Sequence, residues 1–200
     1  MTKYFAIGGT VLLAALLAGT YAFTRLPSQT VCSGTAIAGG AIGGPFELVA
    51  PDEQVVTDAD VITEPSIIYF GYSFCPDVCP IDNARNAAAV DVLADLGHSV
   101  TPIFITVDPE RDTPEVMGDY VENFHPKLIG LSGSEAQIKN AAQAYRVVYS
   151  KEEDGDPDYY LVSHSVFSYF VTPQDGFVEF FRREDSPEQM AERIACHLDV

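Results

Sequence analysis

Ser66-Ile67-Ile68-Tyr69-Phe70-Gly71-Tyr72-Ser73-Phe74-Cys75-Pro76-Asp77-Val78-Cys79-Pro80 is the stretch whose reading decides the fold. Its first half is β-branched and aromatic, with Ile67, Ile68, Tyr69, Phe70 and Tyr72 in near-continuous order. An apolar run of this length without alternation predicts a strand buried on both faces, at the centre of a sheet. Its second half places two cysteines where that strand hands over to a helix. From Pro80 to Leu96 the residues Ala84, Ala87, Ala88, Val92 and Leu96 recur at helical spacing, and Gly97 ends the helix as a C-terminal cap.

Upstream, Phe46 to Val56 holds two short apolar patches around Pro51-Asp52-Glu53, which predicts a hairpin. Downstream, Thr101 to Val107 reads as a second strand, followed by the polar loop Asp108-Pro109-Glu110-Arg111-Asp112. Thr113 caps a helix with Pro114 at its first position, running to about Phe124. Leu128 to Leu131 reads as a short strand, and Ser134 opens a helix ending near Val147. Lys151 to Asp158 is an acidic loop. Ser165 to Val171 and Phe177 to Phe181 are strands about the turn Pro173-Gln174-Asp175-Gly176, and Ser186-Pro187 starts a last helix. Alternating strands and helices imply a central sheet with helices on its faces, and the closing hairpin makes that sheet mixed. The expected class is α/β: a thioredoxin-like mixed sheet with flanking helices, an N-terminal hairpin and one N-terminal transmembrane helix.

The transmembrane expectation rests on Tyr4 to Phe23, a run of 20 residues without a charge. As a helix it is about 30 Å long, the thickness of a bilayer's hydrocarbon core. Lys3 and the amino terminus precede it and Arg25 follows, which favours the N-terminus inside and the domain outside. A cleaved signal peptide is the rival reading, and it exports the same domain. Pro27 to Gly44 is rich in Gly, Ala, Ser and Thr and reads as a flexible tether. The organisation expected is a cytoplasmic N-terminus at 1–3, a transmembrane anchor at 4–24, a tether at 25–43 and the folded domain at 44–200.

The 200 residues carry 29 acids and 11 bases, a net charge of -18, and no acid lies in the first 30. So acidic a surface repels phosphate backbones and argues against nucleic-acid binding. It suits a cationic partner face or a metal ion, and it also serves plain solubility. Four cysteines in a chain this long are too few for a disulfide scaffold. Cys75 and Cys79 form a local pair; Cys196 is expected to serve buried packing, and Cys32 in the tether has no assigned role.

A helix N-terminus lowers thiol pKa and favours the thiolate, which is both nucleophile and metal ligand. With three residues between them, Cys75 and Cys79 face the same way on a helix, Cβ atoms about 5–6 Å apart. One soft ion fits between two such sulfurs, and a disulfide forms if the backbone adapts. Spacing alone leaves three roles open: a plain disulfide, a redox pair and a metal site. Among four histidines, His98 lies in a turn, His125 precedes Pro126 at a helix end, and His197 sits in the last helix. His164 stands between two serines at the mouth of a strand, where loop edges on a rigid sheet favour ligands; hydrogen bonding at the surface is its alternative role.

These residues resemble the Sco/SenC/PrrC family of copper chaperones. The resemblance runs from about Gly43 to Leu198 and is carried by Tyr69 to Pro80, Val107 to Pro114, Phe124 to Gly133, Ala144 to Val147 and Tyr160 to Ser165. It implies a thioredoxin fold on a single membrane anchor in a bacterial inner membrane, with the domain in the periplasm. It implies one copper per domain, as Cu(I), Cu(II) or both, held by Cys75, Cys79 and His164, and a Cys75–Cys79 disulfide in the oxidised apo form. The implied partners are a periplasmic copper donor and cytochrome c oxidase subunit II, whose binuclear CuA centre the family helps to assemble. The implied role is that of a metallochaperone rather than an enzyme. Its alternative is a thiol-disulfide oxidoreductase using Cys75 and Cys79 on the oxidase's cysteines or in redox signalling. Two thiolates and an imidazole also make a soft, three-coordinate set that suits Cu(I). One departure is Ser163, where the family commonly has Asp; losing a carboxylate beside His164 is expected to alter its surroundings without removing a ligand.

Overall fold

The computed structural model describes Cys32, residues 42–152 and residues 159–199. The chain divides into two compact units, Met1–Val31 and Cys32–Val200, and every described residue belongs to the second. The expected anchor, most of the tether and residues 153–158 of the acidic loop lie outside the described residues. Among the described residues no helix is long and apolar enough to cross a membrane.

The hairpin β1 (Glu47–Val49) and β2 (Val55–Thr57) leads through a single helical turn, α1 (Asp58–Val61), to the central strand β3 (Ser66–Gly71). Then follow α2 (Val78–Asp95), β4 (Thr101–Thr106), α3 (Pro114–Val121), β5 (Ile129–Leu131) and α4 (Glu135–Ala144). A short ribbon, β6 (Tyr149–Lys151) and β7 (Val162–His164), precedes β8 (Ser168–Thr172), β9 (Gly176–Phe181) and α5 (Pro187–Leu198). The main sheet has the order β5-β4-β3-β8-β9. β3 runs parallel to β4 and β4 to β5, whereas β8 is antiparallel to both β3 and β9. The sheet is thus mixed, as expected.

Every residue of β3 and of β8 is buried, which is why their sequences read as unbroken apolar runs. Successive side chains point to opposite faces and feed two cores. Ile67 and Phe170 pack with Ala89, Val90 and Leu93 of α2 and Met190, Ala191 and Ile194 of α5. Ile68, Phe70 and Val171 pack with Leu48 of β1 and with Ile138 and Ala141 of α4. Each fully buried side chain of this size stabilises the fold by about 1.5–3 kcal/mol. The helix starts follow their sequence signals: Thr113, Ser134 and Ser186 each accept a hydrogen bond from a first-turn backbone N–H.

Three expectations are corrected. The strand expected at 165–171 begins three residues later, at Ser168, because residues 165–167 link it to a separate ribbon strand, β7, that ends at His164. Its partner β6 and the single turn α1 were not anticipated, since elements this short carry no readable period. Cys196 is not a packing residue: it is half-buried and joined to Cys32 by a disulfide, with Cα atoms 5.8 Å apart and a sequence separation of 164. That bond ties Cys32 to α5, and disulfides of this kind persist in oxidising surroundings.

Candidate metal centre

The site lies at the carboxyl end of β3, where the chain leaves the sheet at Gly71 and enters α2 at Val78. Cys75 sits in the connecting turn and is 9% exposed; Cys79 is in the first turn of α2 and fully buried. The backbone N–H of Cys79 donates to Cys75 Sγ at 3.3 Å, so an otherwise unpaired helix-terminal donor points at sulfur. No side chain caps this helix, which leaves Cys75 in that place. Gly71 lets the parts approach: a Cβ there would stand 2.8 Å from Cys79 Sγ and 3.0 Å from the rings of Phe104 and Tyr69.

His164 arrives from a separate part of the chain. Its Nε2 lies 3.3 Å from Cys79 Sγ, and its Nδ1 is 2.9 Å from the backbone carbonyl of Ser165. With Nδ1–H donated to that carbonyl, Nε2 keeps its lone pair towards the sulfurs. The rings of Tyr69 and Tyr72 meet the imidazole edge-on, with centroids 6.2 and 5.9 Å away. The Tyr72 hydroxyl also accepts the backbone N–H of Val162 at 3.3 Å, joining the cysteine turn to the ribbon. Sγ of Cys75, Sγ of Cys79 and a ring nitrogen of His164 all lie within 4.8 Å of one another. A triangle of that size is close to what one ion needs, with metal–sulfur bonds of about 2.3 Å and metal–nitrogen bonds of about 2.0 Å.

Both thiols are free and share a proton unevenly. The hydrogen bond from Cys79, helped by the backbone N–H groups of Asp77 and Cys79, pulls Cys75 down to about 4 against the effect of burial. The same hydrogen bond, together with burial, pushes Cys79 well above the ordinary thiol range. Cys75 is therefore the thiolate and Cys79 the thiol that holds it. A soft cation held by the triangle would take the place of the Cys79 proton, with both sulfurs then ligating as thiolates.

The polar loop after β4 turns Asp108 and Asp112 inward and leaves Glu110 exposed. Asp112 is fully buried and accepts from the backbone N–H and the hydroxyl of Ser73 and from the hydroxyl of Thr106. Burial raises its pKa, against the effect of these hydrogen bonds. Asp108 accepts from Arg111 Nε at 2.6 Å and from the Tyr160 hydroxyl at 2.7 Å. The buried Asp108 and Asp112 are both engaged in these internal hydrogen bonds. They brace the turn that carries Cys75. Ser163 is exposed and pairs with Ser150 across the ribbon, its side chain on the face opposite His164. The serine at this position therefore leaves the imidazole's hydrogen bonding to Ser165.

The three other histidines each stand beside an acid: His98 near Asp199, His125 near Asp91 and His197 near Glu179. Among the described residues none of them joins the cysteines. Sequence reasoning singled out the two cysteines and His164 but not Gly71, Tyr72, Arg111 or Asp112. All four fall in the two stretches around the cysteines and after β4 that carry the resemblance, and their roles became visible only from contacts.

A model of the SCO1/SenC family matches residues 34–199. The chain belongs to the SCO1/SenC family. Protein SenC of Rhodobacter capsulatus is 46% identical over 204 aligned residues, covering 100% of this chain and 92% of that protein. The crystal structure of copper-bound ScoI from Arabidopsis thaliana has a TM-score of 0.74 at 42% identity, over 80% of this chain and 99% of that one. Copper-bound yeast Sco1 has a TM-score of 0.75 at 36% identity, over 80% and 90% of the two chains. The mixed, thioredoxin-like α/β fold is thus the fold of Sco proteins solved with copper.

Proposed function

We propose that this chain is a copper-binding assembly protein that carries one copper ion on Cys75 Sγ, Cys79 Sγ and His164 Nε2. The observation that carries this reading is the convergence of those three donors within 4.8 Å from sequence positions up to 89 residues apart. The donor set is soft and three-coordinate, which suits Cu(I); zinc usually takes a fourth ligand. By family membership the cargo goes to the CuA centre of cytochrome c oxidase subunit II, after loading from a periplasmic donor. In this reading residues 4–24 anchor the chain in a bacterial inner membrane, with 1–3 in the cytoplasm. Residues 25–43 form the tether, and the domain at 44–200 faces the periplasm. The Cys32–Cys196 disulfide supports an exported domain.

Titration of the reduced full chain with Cu(I) against a competing chelator tests the site. One ion per chain is expected, with weaker binding in Cys75→Ala, Cys79→Ala and His164→Ala. If Cys75→Ala and His164→Ala bind as tightly as the parent, the assignment is wrong. Oxidase copper content in a deletion strain, rescued by the parent and not by the three variants, tests the delivery role.

A second reading has its own support in the uneven thiols: a thiolate with 9% of its surface exposed beside a fully buried thiol suits a thiol-disulfide oxidoreductase. The Cys75 thiolate attacks a partner disulfide, and Cys79 then attacks the mixed disulfide, leaving Cys75–Cys79 oxidised and the partner as a dithiol. Here His164→Ala leaves partner reduction intact, whereas either cysteine to serine abolishes it.

A further inference from the structure

The ribbon β6–β7 that carries His164 shares no ladder with the main sheet. Its height above the cysteines therefore depends on side-chain contacts, and those contacts centre on one residue. Arg111 donates through Nε to Asp108 at 2.6 Å. Its guanidinium carbon lies 3.6 Å from the ring centroid of Tyr160, 4.8 Å from that of Phe74 and 5.7 Å from that of Tyr72. Tyr160 leads into β7; Phe74 and Tyr72 belong to the turn that holds Cys75. Arg111 Nη2 is buried with no hydrogen-bond acceptor, so the aromatic faces take up the charge instead.

Tyr160 is held from its other side as well. Lys151 Nζ lies 3.5 Å from the same centroid, and two groups that close to one ring centre occupy opposite faces. Lys151 is bound in turn to Glu110 at 3.0 Å, and the Tyr160 hydroxyl donates to Asp108. We infer that Arg111 is a positioning residue that clamps the His164 ribbon onto the cysteine turn and so sets how firmly the imidazole closes over the metal. The inference rests on His164 being a ligand. A planar guanidinium matters here because it pairs with a carboxylate along one edge while lying flat on rings, which an ammonium does not do.

The test is a double-mutant cycle on the full chain, read by Cu(I) affinity, with Arg111→Ala, Arg111→Lys, His164→Ala and the Arg111→Ala/His164→Ala pair. Arg111→Ala is expected to weaken binding about 10–100-fold, the range for residues that orient a ligand. Arg111→Lys recovers only part of that loss. The double variant binds no worse than His164→Ala alone, because a loosened imidazole cannot be lost twice. In the metal-free protein, hydrogen exchange at the Val162 amide accelerates in Arg111→Ala while amides of β3 stay protected. If Arg111→Ala does not fold, Tyr160→Leu, which removes the ring between the two cations, must show the same coupling. Additive losses in the pair, or unchanged Val162 exchange, overturn the clamp. A His164→Ala variant with undiminished affinity overturns the copper site itself, so the two failures are distinguishable.

Discussion

At the scale of single residues, the two cysteines differ more than their shared motif implies. Cys75 receives the Cys79 N–H and the Cys79 thiol, whereas Cys79 is sealed against Gly71 and fully buried. In the reduced, metal-free protein the Cys75 thiol, pulled down to about 4, is half ionised there and almost wholly thiolate from about pH 5 upward. Its alkylation rate is therefore expected to stay flat from about pH 5 to pH 8, whereas an ordinary thiol rises about tenfold per pH unit below its pKa. Iodoacetamide labelling followed by mass spectrometry checks this, with Cys79 expected to remain unlabelled. In Cys79→Ala the largest stabilising bond is gone, so the Cys75 profile moves back towards higher pH. Equal labelling of both cysteines at about pH 6 would contradict the uneven sharing of the proton.

Among elements, the decisive contact is between the end of β3 and the first turn of α2. β3 buries all six of its residues, and Gly71 is the point where the α2 sulfur reaches the sheet. Gly71→Ala places a methyl carbon 2.8 Å from Cys79 Sγ, so something must shift. Overpacking of this kind destabilises by about 1–3 kcal/mol. A lower thermal midpoint is expected together with weaker Cu(I) binding, because the displaced atom is one of the three proposed ligands. An alanine variant with unchanged midpoint and affinity would show that α2 has slack at its start. The ribbon makes the opposite case. With three residues per strand and no ladder to the sheet, it depends on Tyr72, Tyr160 and Arg111 for its place.

For the whole molecule, the Cys32–Cys196 disulfide closes a loop that contains nearly the entire domain. Closing a long loop restricts the unfolded chain, and removing such a bond costs about 2–4 kcal/mol. Cys32→Ser is expected to lower the urea midpoint of the full chain, and a reductant that lowers the parent's midpoint leaves the variant's unchanged. Identical midpoints for parent and variant under oxidising conditions would remove the stabilising role. The net charge of -18 acts at this scale too, favouring a partner whose docking face is cationic.

The sequence by itself determined the fold class, most strand and helix positions, and the placement of two cysteines at a strand-to-helix junction. Those properties follow from local periodicity, caps and breakers, all written within a few residues of where they act. The resemblance named His164, but no local pattern linked it to residues 85 and more positions away. Only the tertiary structure brought its Nε2 to 3.3 Å from Cys79 Sγ. The same holds for the Cys32–Cys196 bond, for the separation of β7 from β8, and for Arg111 between the cysteine turn and the His164 ribbon. Contacts across such distances depend on how the elements pack, and packing leaves no periodic mark on the chain.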